Sequence, residues 1–129
     1  MQHNTLIKIY GLLSGVSEKA FERLKPFISE AISTEESLDN SFTYNKNKQE
    51  LNCSFEGLYF PFEDFLQELN LTNPKNKNSY PLNNIFQDVE GRLDYIDIEN
   101  WNLTRLIFQN HTIQYSTTPL NNILAYSGH

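Results

Sequence analysis

The chain has 129 residues, 39% hydrophobic and 20% charged, a composition that suits one globular domain with a single core. Its net charge of -6 and pI of about 4.9 disfavour direct contact with nucleic acid, because phosphate backbones repel an acidic surface. Cys53 is the sole cysteine, which excludes an intrachain disulfide and points to a reducing, cytoplasmic compartment.

Residues 1–15 are apolar only in part. Lys8, Gly11 and Gly15 interrupt them, and the run is too short for a membrane span and lacks a signal-peptide layout. Leu6–Leu13 fits either a strand or an early helix; its β-branched residues and Tyr10 favour the strand. Ser17 is placed to cap a helix, with Glu18 in the first turn opposing the helix dipole. Phe21, Leu24, Ile28, Ala31 and Ile32 follow at helical spacing and predict an amphipathic helix over 17–33. Pro26 should kink or restart it, since it removes a hydrogen bond to Glu22. The acidic segment 34–40 reads as a loop.

Two stretches alternate with period two around a turn. A turn at Asn47-Lys48 pairs Tyr44 with Leu51 and Phe42 with Cys53, which predicts a hairpin over 42–55 and makes Cys53 a buried small hydrophobe. Between them and the second hairpin, Pro61 suits a first helical turn, and Phe62, Phe65, Leu66 and Leu69 predict a short helix over 61–70. Residues 72–81, rich in Asn, Lys, Ser and Pro, read as a loop, and Val89–Ile98 as a strand around Gly91.

The second hairpin is the clearest local signal. Asn110-His111 suits a type I′ turn, and the register it fixes opposes Phe108 to Ile113 and Leu106 to Tyr115. Those four share one apolar face, and Arg105, Ile107, Gln114 and Ser116 share the other. Thr118-Pro119 then signals a third helix over 119–126, stopped by Gly128. The sum is one α+β domain over 1–129: a mainly antiparallel sheet of two hairpins plus further strands, with about three helices packed on it.

The chain carries no catalytic signature. His3, His111 and His129 are dispersed, with no ligand spacing for a metal, and no cofactor motif is present. There is no phosphate-binding glycine loop and no nucleophile elbow. The lysines at 46, 48, 75 and 77 read as solvated loop charges, and the Asn-X-Ser/Thr triplets at Asn52, Asn70, Asn102 and Asn110 follow from the abundance of Asn. Asp94 and Asp97, three apart on a strand, face opposite sides and do not form an acid–base pair, whereas Glu90, Arg92 and Asp94 share a face.

The stretch from Asp88 to Glu99 is unusually acidic, and it has two readings. It is either the solvated polar face of a half-buried sheet or a surface that docks on a basic protein. In the second reading Glu90, Asp94, Asp97 and Glu99 steer the encounter, and Tyr95 and Trp101 supply the anchoring contacts.

In size, acidity, α+β layout and want of a catalytic set, the whole chain resembles the immunity proteins of bacterial polymorphic toxin systems, contact-dependent growth inhibition included. That resemblance implies a non-catalytic protein that binds and neutralises a cognate toxin domain, often a basic nuclease. The element order also resembles class I chaperones of type III secretion, which implies a homodimer holding an effector segment. The leading apolar run and the strand near residue 93 depart from that pattern. A phage-encoded inhibitor of a host defence nuclease would present much the same acidic surface. None of the three implies a bound metal or a membrane.

Overall fold

A computed structural model describes residues 5–32, 41–70 and 79–121. Its elements run β1 (Ile7–Ser14), α1 (Glu18–Ile32), β2 (Phe42–Asn45), β3 (Glu50–Gly57), α2 (Phe62–Glu68), β4 (Ser79–Pro81), a 3-10 turn (Asn84–Phe86), β5 (Glu90–Asp97), β6 (Asn102–Gln109) and β7 (Thr112–Pro119). The strands form one sheet in the order β2-β3-β1-β5-β6-β7-β4, and every neighbouring pair is antiparallel. The α+β class and the antiparallel sheet are as the sequence implies, and Leu6–Leu13 resolves as strand rather than helix.

Both hairpins hold the expected registers. Phe42 pairs with Cys53 and Tyr44 with Leu51, while Leu106 pairs with Tyr115 and Phe108 with Ile113. Asn110 and His111 have φ of 52° and 65°, the two left-handed residues that a type I′ turn demands. The alternation then sorts the side chains. Ile7, Ile9, Leu13, Leu51, Cys53, Phe55, Leu93, Leu106, Phe108 and Ile113 are buried on one face. Ala20, Leu24 and Ala31 of α1, Phe65 and Leu66 of α2 and Phe86 of the 3-10 turn join the same core, so the helical layer lies on that face. Tyr115 of the apolar hairpin face and Phe21 and Ile28 of the apolar helix face are only partly buried, packed against the core rather than within it.

Ser17 caps α1 as expected, its Oγ accepting from the Ala20 N–H at 3.1 Å. The helix then runs unbroken through Pro26 instead of restarting there. Pro26 sits on the exposed side, and the burial of Leu24 and Ala31 on the other side outweighs one missing hydrogen bond. Pro61 takes the capping position of α2, and Phe65 N–H donates to its carbonyl at 3.1 Å.

Three expectations need correction. Ser79–Pro81, expected as loop, is the edge strand β4: Tyr80 is buried opposite Ile113, and Pro81, which lacks an N–H, is tolerated at an edge. The helix expected over 119–126 starts one residue late: β7 continues until Pro119 pairs with Asn102, again where no donor is required of it, and helical backbone follows at Leu120 and Asn121. The described residues hold two complete α-helices rather than about three, and the remainder of the span 119–126, with Gly128, lies outside them. The loops expected at 34–40 and 72–78 lie outside them as well.

The middle of the sheet is the β1–β5 pair, and two glycines set its geometry. Gly11 (φ 152°) and Gly91 (φ 132°) both face the core. A Cβ on Gly11 would lie 2.0 Å from the Arg92 carbonyl oxygen, and one on Gly91 would lie 2.2 Å from that of Leu12. Each strand thus passes its carbonyl across the space where the other would carry a side chain.

Two expected outcomes follow. Gly91→Ala should destabilise the fold by several kcal/mol, well beyond the ~1 kcal/mol that a glycine change costs on propensity alone; a denaturant midpoint within error of the parent would show that the seam relaxes freely. Phe108→Ala should cost about 3–5 kcal/mol for the buried ring, and a loss under ~1 kcal/mol would place Phe108 outside the packed core.

Candidate functional site

The antiparallel register divides the acidic stretch. Glu90, Arg92 and Asp94 point to the open face with Tyr10, Leu12 and Arg105, whereas Tyr95 and Asp97 point to the helical side. Asp94 is occupied: Arg105 grips it from Nε to Oδ1 at 2.8 Å and from the terminal nitrogen to Oδ2 at 3.2 Å, and Arg92 Nε stands 3.9 Å from Oδ2. That paired geometry favours the charged guanidinium, and the hydrogen bond to Asp94 pushes the Arg105 pKa up. Glu90 is exposed at the start of β5. Glu99 and Trp101 sit in the β5–β6 turn, where Trp101 is 41% exposed and its Nε1–H donates to Asn121 Oδ1 at 2.8 Å. The six residues do not converge on one surface.

Two of them, Tyr95 and Asp97, instead join residues from a distant part of the chain. Ile7 of β1 pairs with Gly57 on one side and Asp97 on the other. Gly57, Ile7 and Asp97 therefore lie in one row across the sheet, and the chain leaving β3 emerges beside the end of β5. The outcome is an open groove of about 400 Å³ lined by Tyr59, Phe60, Pro61, Phe62, Glu63, Asp64, Tyr95 and Asp97. That volume is within the range of ligand-binding clefts.

Its floor is aromatic. Phe62 stacks on Tyr95 with ring centroids 3.8 Å apart and an interplanar angle of 8°. Phe60 stands 6.4 Å from Tyr95 and meets Phe65 edge-on at 5.4 Å, which ties the floor to the core. Tyr59 is 42% exposed at the rim. The carboxylates of Glu63, Asp64 and Asp97 complete the lining, and none of the lining residues is Lys or Arg. Glu63 and Asp64 occupy the first turn of α2, where negative charge also suits the helix dipole. Asp97 is held in place by Asn100, whose backbone N–H reaches Oδ1 at 3.0 Å and whose side-chain amide reaches Oδ2 at 2.8 Å.

The electrostatics agree with this geometry. Burial, then the charge of Asp97, pushes the Tyr95 phenol above its ordinary value of 10. The Tyr59 phenol is raised as well, first by its hydrogen bond to Glu30. Cys53 lies in the core, and burial pushes its thiol up to about 12. His111, in the β6–β7 turn, is exposed but bonded: its Nδ1–H donates to the Gln87 carbonyl at 3.1 Å. Among the described residues, no group of three or more His, Cys, Asp or Glu side chains could hold a metal ion, and no helix is long and apolar enough to cross a membrane. His3 and His129 lie outside those residues.

No protein family, curated protein or solved structure matches this chain. Of the residues that the sequence singles out as a docking surface, Tyr95 and Asp97 line this groove; Tyr59, Phe62, Glu63 and Asp64 line it too and were not among them. The signal was present in the run Leu58-Tyr59-Phe60-Pro61-Phe62-Glu63-Asp64, which packs more aromatics than one buried helix face uses and follows them at once with acids.

Two measurements check these environments. In the unfolded chain Tyr95 ionises near its ordinary value of 10, before the folded protein does. The folded state then retains the proton that the unfolded state loses, so stability intact below pH 10 should fall as the pH rises above it. Tyr95→Phe should flatten that decline in a denaturant series, leaving the share due to the other raised phenols, Tyr59, Tyr44 and Tyr10, the last of which burial and Glu56 raise to about 12. An unchanged slope would mean that Tyr95 is solvated. Cys53 should resist iodoacetamide at pH 8 in the native protein and react once urea unfolds it, because a buried neutral thiol is a poor nucleophile; rapid native labelling would show an open path to β3.

Proposed function

We propose that this protein is a non-catalytic binding protein of the bacterial cytoplasm that neutralises a basic protein partner, in the manner of an immunity protein acting on a nuclease-type toxin domain. The observation that carries the reading is the groove beside β5, aromatic in its floor, acidic at its rim and free of basic lining residues. A domain that cleaves nucleic acid needs a positive cleft to hold phosphates, and such a cleft is drawn to a surface of this kind. The net charge of -6 extends the attraction beyond the contact itself. The interface then centres on Tyr95 and Asp97 with Tyr59, Phe62, Glu63 and Asp64. Glu99 and Trp101 flank it in the adjoining turn. Glu90 and Asp94, on the open face, are outside it.

The test is the binding kinetics of a basic nuclease domain encoded beside this protein's gene. The combined change Glu63→Gln, Asp64→Asn and Asp97→Asn should slow association on the order of tenfold at low salt, with the difference shrinking as salt rises. Glu90→Gln, outside the groove, should slow association far less. Salt-independent association, or equal rates for all variants, would rule out the groove as the docking surface. Failure of that domain to bind would rule out the immunity reading.

A further inference from the structure

We propose that the groove beside β5 is a subsite for one arginine side chain, presented by the partner protein. This inference rests on the reading of the protein as a binder of a basic protein. Four features of the groove select that occupant. Its floor is a flat stack of Phe62 on Tyr95, against which a planar cation lies face to face. Its rim carries three carboxylates contributed by two separate elements, Glu63 and Asp64 from α2 and Asp97 from β5. A guanidinium can stack on a ring while its in-plane N–H groups reach carboxylates around it, which the compact ammonium of lysine does less well. An apolar occupant would strip water from those carboxylates and return no hydrogen bond.

The remaining features bear on preorganisation. Asp97 is locked by both nitrogens of Asn100, so its carboxylate does not have to be ordered when the ligand arrives. A hydrogen bond with Glu30 restrains Tyr59, the exposed ring at the rim. A bare metal ion is a poor alternative, since no set of three ligating side chains converges among the described residues.

The test begins without the partner. Isotope-labelled protein is titrated at low ionic strength with N-acetyl-arginine amide, N-acetyl-citrulline amide and N-acetyl-lysine amide. Saturable shifts should be confined to the groove residues, with citrulline, a neutral isostere, binding at least about threefold more weakly than arginine. Tyr59→Ala should weaken arginine binding about two- to fivefold, while Tyr59→Phe, which keeps the ring and loses only its bond to Glu30, should weaken it less. An unchanged amide spectrum away from residues 58–62 shows that either variant is folded. Equal binding of arginine and citrulline, binding of lysine as tight as arginine, or no shift at the groove overturns the assignment. The second arm separates this inference from the one beneath it. A basic nuclease domain that binds the parent and Tyr59→Ala equally leaves the inhibitor reading standing and removes the arginine subsite. Groove-confined arginine binding with no basic partner bound keeps the subsite and removes the inhibitor reading.

Discussion

The close passage of β1 over β5 is the constraint on which the rest of the sheet depends. It joins two blocks that the chain builds locally, β2-β3 on one side and β6-β7 on the other, and β1 and β5 are their only link in the strand order. Gly11 and Gly91 admit each other's neighbouring carbonyls, and Gly15 (φ 69°) does the same opposite Asp88, where a Cβ would lie 2.0 Å from the carbonyl oxygen. The contact is also remote in sequence: the Ser14 hydroxyl meets the Glu90 carbonyl across 76 residues. Closing so long a loop is slow relative to forming a hairpin. The two hairpins are therefore the natural early structures, and the seam between them is the late one.

The seam also makes the groove. Neither the segment after β3 nor the end of β5 forms a site alone. They become neighbours because Ile7 pairs with Gly57 and Asp97 at once. A one-residue slip of β1 against β5 would turn Tyr95 and Asp97 to the open face. Burial of Leu93 and Ile9 in the core opposes that slip, so packing in the middle of the sheet indirectly sets the chemistry at its end.

This explains what could be read from the sequence and what could not. The hairpins were legible because a tight turn and period-two alternation are local and reinforce each other. Both registers and both apolar faces came from a few adjacent residues, and Ser17 likewise announced α1. Strand β4 was hidden because Tyr80 is a single buried residue between Ser79 and Pro81, with no alternation to display. Pro119 serves both readings, because it ends a strand at a position needing no donor and stands directly before the helical backbone of Leu120 and Asn121. The acidic stretch was visible as composition, but its partition between two faces follows from pairing with β1 and β6. Tyr59, Glu63 and Asp64 stood out locally as an aromatic run followed by acids, but their grouping with Tyr95 and Asp97 was hidden for the same reason: those companions are supplied by a strand that pairs with β1, not with β3.

The two outermost strands have a consequence for how the protein behaves in crowded solution. β2 offers four residues and β4 only three, the last of them Pro81. A growing fibril or a swapped neighbour recruits a long run of free N–H and C=O groups, and strands this short give it little to copy. The seven strands of the described residues, in one sheet, would otherwise be an invitation to pile up edge to edge. Blunt margins, together with the mutual repulsion of molecules carrying a net charge of -6, let such a sheet remain open without spreading.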